Sequence, residues 1–208
     1  TVDLAVISHG HYDHTGGLRR FLELNGKAPV LVNRYAFETH MARDGRNISM
    51  DQSLEGHKQI VLTGDMLDLD VEVSLRTCNG VPAPFEDSSA GLFSVCEGKL
   101  RQDLFLHEQY LCLKLGGRRI VVSGCSHKGI LNICRWLRPD VLIGGFHFMN
   151  VDVHGPGRER LDRAADALLA QGAQYYTGHC TGAEQFLYLK KRMGDTLHAL
   201  SGGQTLVI

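Results

Sequence analysis

What this 208-residue sequence lacks narrows its function before any motif is read. No apolar run approaches the roughly twenty residues that a membrane-spanning helix needs. No charge of one sign dominates: 22 Lys and Arg against 23 Asp and Glu leave a formal charge of −1. That balance gives neither the basic footprint of a nucleic-acid-binding domain nor a polybasic membrane patch. Nothing at its start has the form of a secretory signal. The six cysteines, Cys78, Cys96, Cys112, Cys125, Cys134 and Cys180, contain no C-x-x-C pair. Scattered in this way they read as reduced, mostly buried thiols in a cytoplasmic protein. Repeats and low-complexity tracts are also missing. With 43% apolar residues the chain can bury a real core, and the expectation is one α/β domain over residues 1–208.

What is present is concentrated chemistry. The stretch Ser8 to Gly17 reads S-H-G-H-Y-D-H-T-G-G, and it places His9, His11, Asp13 and His14 within six positions. Imidazole and carboxylate are the groups a zinc-like cation takes. An apolar strand, Leu4 to Ile7, precedes the run, and a Gly-Gly helix start follows it. If the backbone is extended there, His9, His11 and Asp13 project to one side. His14 then falls at the turn into the helix. Such a loop offers two histidines to one cation and an Asp-His pair to a second.

The segment after the motif shows an i, i+3, i+4 apolar stripe at Leu18, Phe21 and Leu22 and stops at Asn25-Gly26. Pro29 to Val32 reads as a short buried strand. Residues 33–59 read as a loop or lid, partly helical near Ala36 to Ala42, whose histidines, His40 and His57, are solvated. Alternation at Leu67, Leu69, Val71, Val73 and Leu75 predicts half-buried strands. Asp103 to Gln109 leads into a strand, Tyr110 to Leu115. The Gly116-Gly117 turn then joins it to a second strand, Arg119 to Ser123, as a hairpin.

The last third repeats one arrangement. Ile120 to Val122 runs into Gly124-Cys125-Ser126-His127, and a helix carrying Ile130, Ile133, Cys134 and Leu137 stops before Pro139. Val141 to Ile143 runs into Gly144-Gly145-Phe146-His147, with a helix following from Arg158 to about Gln171. Gln174 to Thr177 runs into Gly178-His179-Cys180, before a helix carrying Phe186, Leu189 and Met193. Three histidines, His127, His147 and His179, thus sit just past the carboxyl ends of short strands, where ligands gather in α/β sheets. Together with the first cluster they read as metal ligands.

The pieces S-H-G-H-Y-D-H-T-G-G, S-G-C-S-H-K-G-I-L-N-I, G-G-F-H and Y-T-G-H-C-T-G resemble the metallo-β-lactamase superfamily of dinuclear metal enzymes. Within it they are similar to the dihydropterin-ribofuranosylaminobenzene phosphate synthase-like branch. The resemblance implies an αββα four-layer sandwich with metals at one edge. It implies His9, His11 and His127 on the first metal, and Asp13, His14 and His179 on the second. Two departures stand out. Most of the superfamily carries a metal-bridging Asp in the slot that here reads Gly144-Gly145-Phe146-His147. His147 is therefore a terminal ligand or lies just behind the ligands, and Asp152 compensates only if its loop folds back. Members also carry several strands before the H-x-H-x-D-H run, so the implied sandwich lacks its N-terminal strands and exposes a sheet edge.

The expected cofactors are two divalent metal ions, Zn first, with Fe or Mn as alternatives. With one bridging hydroxide and Asp13 as sole carboxylate, such a site sums to about +2, which favours a phosphorylated or other anionic small molecule. A bound metal lowers the pKa of water from about 15.7 toward about 7, and Asp13 orients that water and shuttles its proton. The leading expectation is a dinuclear metal-dependent hydrolase. One alternative joins a pterin to an aminobenzene-ribose phosphate, with Tyr12, Phe85, Phe146 or Phe148 as aromatic walls; another is a metal-binding sensor or partner subunit without turnover. Asp103, His107 and Glu108 are candidates to hydrogen-bond a ligand imidazole. Lys128 is a candidate for a substrate phosphate, its alternative being a solvated helix start. Cys125 and Cys180 read as packing residues.

Overall fold

The computed structural model describes residues 2–208. The chain divides into two compact units. The first holds the residues up to Leu69 with Ser74–Gly80 and Ser89–Leu111, and the second holds Asp70–Val73, Val81–Ser88 and Cys112–Ile208.

The first unit is built on three parallel strands, β1 (Ala5–Val6), β2 (Val30–Asn33) and β4 (Ile60–Thr63), in the order β1-β2-β4. Two helices, α1 (Tyr12–Thr15) and α2 (Leu18–Leu24), fill the crossover from β1 to β2. Leu18 and Leu22 of α2 bury against Val30, Val32, Phe37, Met50 and Leu54. The Leu18/Leu22 pair is the i, i+4 stripe read from the sequence, and the helix stops at Asn25 as expected. Full burial of such leucines stabilises the unit by about 1.5–3 kcal/mol each. The expected helix near Ala36 to Ala42 is not formed. A 3-10 turn covers Arg34–Phe37, and Thr39–Ala42 is strand β3. β3 pairs antiparallel with β7 (Leu92–Cys96), which pairs with β8 (Lys99–Gln102). β5 (Met66–Asp68) and β6 (Val73–Arg76) are strands within the alternating run, paired antiparallel with Leu75 buried, whereas Leu69 and Val71 of that run are exposed in the turn between them.

In the second unit, β9 (Tyr110–Leu115) and β10 (Arg118–Val122) are neighbours joined by Gly116-Gly117. Then come α3 (Ile130–Leu137), β11 (Val141–Ile143), α4 (Gly157–Gln171), β12 (Gln174–Thr177), α5 (Ala183–Met193) and β13 (Leu197–Ala199). β10, β11, β12 and β13 are parallel and adjacent in that order. α3 packs on α4, and α4 on α5. Their apolar faces (Ile133, Leu161, Leu168, Leu189) are fully buried with Val141, Leu142 and Tyr175 of the strands. Parallel strands in register put the loops after β10, β11 and β12 on one edge, and those loops carry His127, His147 and His179. Among the described residues no helix is long and apolar enough to cross a membrane.

Candidate metal centre

In the first unit the motif leaves β1 still extended and then turns. His11 is the N-cap of α1 with extended φ and ψ of −82° and 145°. The period-two alternation therefore ends at His11. Asp13 does not continue the line of His9 and His11, as an extended run would require; it sits in the first turn of α1 with His14. The rings still gather. The His9 centroid lies 4.7 Å from that of His11 and 4.2 Å from that of His14, and His14 Nε2 is 3.5 Å from an Asp13 carboxylate oxygen. His9 and His11 are buried, whereas Asp13 keeps an exposed carboxylate. Burial, reinforced by the neighbouring His107 and His40, pushes the His11 pKa from 6.5 down to about 3. His11 is thus held as the neutral imidazole that coordinates metals.

The backbone between the two histidines is cramped. A Cβ on Gly10 would stand 2.4 Å from the Ala36 carbonyl oxygen, so only glycine fits there. The Gly10 carbonyl accepts from Met50 N, and the Gly10 N–H donates to His107 Nδ1 at 2.9 Å. That second bond fixes a tautomer. Nδ1 of His107 accepts, so its proton is on Nε2, which donates to Asp103 Oδ2 at 3.2 Å. The same oxygen accepts from His40 Nδ1 at 2.9 Å, while Asp103 Oδ1 accepts from Phe105 N. Burial alone would raise the Asp103 pKa, but hydrogen bonds from His107 and His40 hold it well below the usual carboxylate range.

Asp103 and His107, read from the sequence as supports for a ligand imidazole, therefore grip the peptide between two candidate ligands. Glu108 is buried and accepts from the Tyr110 hydroxyl at 2.7 Å. His40 is a correction: expected in solvent, it is fully buried beside the motif, because β3 replaces the expected helix and turns it inward. Gln109 is a second residue the sequence reading missed. Its side chain donates to the Ile7 and Leu31 carbonyls and accepts from Thr63 Oγ1, tying the carboxyl ends of β1, β2 and β4 together.

The second unit brings His127, His147 and His179 to one sheet edge. The His127 and His147 ring centroids are 4.4 Å apart; His127 is buried, His147 half-buried and His179 exposed. The turns are tight and strained. Ser126, His147 and His179 all adopt positive φ (57°, 53° and 50°), which costs a side-chain-bearing residue of order 1 kcal/mol or more each. Glycines admit the close approaches: a Cβ at Gly144 would meet the Ser123 carbonyl oxygen, and one at Gly145 the Cys180 sulfur at 2.4 Å. Cys125 and Cys180 are both buried, with Cys180 Sγ against the Cys125 carbonyl. Asp152 accepts from His154 N in its own turn before α4. Lys128 is buried, so the solvated helix start does not hold for it.

The donor types in each unit suit divalent cations: imidazoles with one carboxylate in the first, and imidazoles in the second, two of them (His147 and His179) in backbone conformations kept at a cost to stability. Residues 1–84 match the family model of the metallo-beta-lactamase superfamily. It has 29% identity over 193 residues to the uncharacterized protein MJ0448 of Methanocaldococcus jannaschii, covering 86% of this chain and 69% of that protein. The 7,8-dihydropterin-6-methyl-4-(beta-D-ribofuranosyl)-aminobenzene-5'-phosphate synthase of the same organism is 26% identical over 226 residues, covering 96% and 74%. Among solved structures, Tm1679, a metal-dependent hydrolase of the beta-lactamase superfamily, superposes with a TM-score of 0.78 at 25% identity, covering 98% of this chain and 78% of that one. The mixed α/β fold is that of the superfamily.

Proposed function

We propose that the chain is a metal-dependent hydrolase of a small substrate bearing an anionic group, a phosphoester in first place. The observation that carries this reading is the ring cluster His9-His11-His14 beside Asp13, held by an interior built to fix it. In this reading His9, His11 and His127 hold one cation, and Asp13, His14 and His179 a second, with His147 at the edge of the set. Divalent cations bound there would supply a water acidified toward neutral pH and positive charge for the substrate's developing negative charge. Asp13, the sole carboxylate among these residues, would orient that water and take up its proton. The net positive charge selects an anionic substrate. Support comes from the match of residues 1–84 to the superfamily's family model and from the likeness to the metal-dependent hydrolase Tm1679 at a TM-score of 0.78.

The test is elemental analysis of the purified protein followed by assay against a panel of phosphate mono- and diesters. Two equivalents of metal with turnover that falls at least a hundredfold in Asp13→Ala support the reading. Full turnover of every cleaved ester by Asp13→Ala would sink it. A second reading rests on the 26% identical relative that is named a synthase: the same metals act on a pterin and an aminobenzene-ribose phosphate without net hydrolysis. A joined product from that pair, with no ester cleaved in the panel, selects this reading.

A further inference from the structure

The second unit holds a cavity of about 270 Å³, lined by Phe85, Ile130, Phe146, Phe148, Ala164 and Ala167. Phe146 and Phe148 flank His147 in the chain, and Ile130 follows His127 by three residues. The wall carrying Phe85 hangs from the His127 segment. Ser88 N donates to the His127 carbonyl at 2.7 Å, and Asn132 both accepts from Phe85 N and donates to the Phe85 carbonyl. Gly129 permits this, since a Cβ there would stand 2.4 Å from the Glu86 carbonyl oxygen. Trp136, the single tryptophan, donates its indole N–H to the Pro82 carbonyl of the same wall. The cavity is thus a built feature, fixed to the loops that carry two candidate ligands.

Its chemistry is apolar and aromatic. Phe146 and Phe148 meet edge to face at 6.1 Å, small alanines of α4 leave the opposite side open, and Phe85 is a large apolar side chain left partly exposed. The Arg160 guanidinium lies over the Phe148 ring, but Glu86 pairs with it at 3.1 Å. Arg163, the second cation of the lining, faces Glu159 at 3.7 Å, so each rim cation has its own carboxylate and the cavity calls for a neutral group. An apolar cavity of about 150 Å³ already takes benzene, so this one has room for one aromatic ring and a short link. Edge-to-face partners favour a flat ring over a puckered one.

We propose that this cavity seats an aromatic ring of the substrate, making the substrate class aryl or arylmethyl esters of an anionic centre. The proposal rests on the hydrolase reading for its reaction: the ester P–O bond breaks, a P–O bond from water forms, and a water proton ends on the released alcohol.

The test uses benzyl phosphate and cyclohexylmethyl phosphate, whose leaving alcohols are alike and whose rings differ in flatness. On metal-stripped protein, Trp136 emission should change saturably with benzyl phosphate, at least tenfold more weakly with cyclohexylmethyl phosphate, and not with inorganic phosphate. Ala164→Leu, which fills the cavity, should weaken benzyl phosphate tenfold or more. Ala167→Leu, at a less buried position, should do the same if the first variant folds poorly. Equal affinity for the two rings, or unchanged affinity in a folded Ala167→Leu, overturns the proposal. On metal-loaded protein the two readings separate. Ring-selective binding with no ester hydrolysed keeps the cavity and sinks the hydrolase; hydrolysis without any ring preference in kcat/KM keeps the hydrolase and sinks the cavity.

Discussion

Substituting Asn for Asp103 tests the interior that supports the first half of the candidate centre. The carboxylate is buried and accepts three hydrogen bonds: Phe105 N at 2.7 Å, His40 Nδ1 at 2.9 Å and His107 Nε2 at 3.2 Å. An amide of the same shape has one accepting side and one donating side. If its oxygen faces the Phe105 N–H, its NH2 faces two ring N–H groups. His40 can relieve its share by moving its proton to Nε2. His107 cannot, because its Nδ1 already accepts from Gly10 N–H. If the amide is flipped, two N–H groups oppose each other at Phe105 instead. Either way at least one buried donor loses its acceptor, at about 1–3 kcal/mol, and a charge-assisted bond is lost as well. A net loss of about 2–4 kcal/mol in unfolding free energy of the metal-free protein is expected. Because the strain falls on the peptide between His9 and His11, metal affinity should drop about 10–100-fold, the range for partners that orient ligands. Urea unfolding and competition against a chromophoric chelator measure the two effects. A variant within about 0.5 kcal/mol of wild type, with unchanged metal affinity, would refute the tautomer argument.

Three further outcomes follow from the same geometry. Gly145→Ala places a methyl 2.4 Å from the Cys180 sulfur; it should destabilise by about 1–3 kcal/mol, and adding Cys180→Ala should restore part of that in a double-mutant cycle. His179→Gly removes a side chain from a positive-φ position, so thermal unfolding should hold steady or rise by the equivalent of about 1 kcal/mol while metal stoichiometry falls; loss of stability would contradict the strain assignment. For His11, the folded pKa of about 3 lies below the unfolded 6.5, so the unfolded chain binds the extra proton and stability of the metal-free protein falls as pH drops from about 6.5 toward 3. The slope contributed is at most about 1.4 kcal/mol per pH unit, and parallel urea-unfolding profiles for wild type and His11→Asn would contradict it.

The second unit was legible because each of its strands carries its own punctuation. Ile120 to Val122, Val141 to Ile143 and Gln174 to Thr177 are short apolar or β-branched runs, each ending at glycine and then histidine. The helices between them show their buried stripe at Ile130/Ile133 and Leu161/Leu168. Nothing in that reading needs a distant partner. The stretch around His40 is the contrast. Residues Ala36 to Ala42 carry no strong local preference, and Thr39–Ala42 becomes strand only by pairing with Leu92–Cys96, some fifty residues on. Pairing of that range leaves no trace in a local window, so the local pattern suggests helix there and solvent for His40. Asp13 was displaced for a smaller reason: helix α1 begins at Tyr12, one residue before the alternation would have aimed it.

The misread segment and the well-read motif are joined by one carboxylate. Four histidines, His9, His11, His14 and His40, were visible as residue types, but an imidazole can donate, accept or ligate, and composition does not say which. The choice is made by Asp103 and the Gly10 amide, a side chain and a backbone group 93 positions apart, which together leave His107 only one tautomer. Asp103 also accepts from His40 Nδ1, which fixes the orientation of that buried ring beside the motif. The order of dependence therefore runs from the buried acid to the imidazoles, from His107 to the Gly10 peptide, and from that peptide to the His9 and His11 rings. A candidate ligand run of this kind is specified by its sequence and aimed by its interior. Replacing Asp103 should thus disturb metal binding more than replacing an exposed charge such as Arg46 or Glu159, although Asp103 is in neither proposed ligand set.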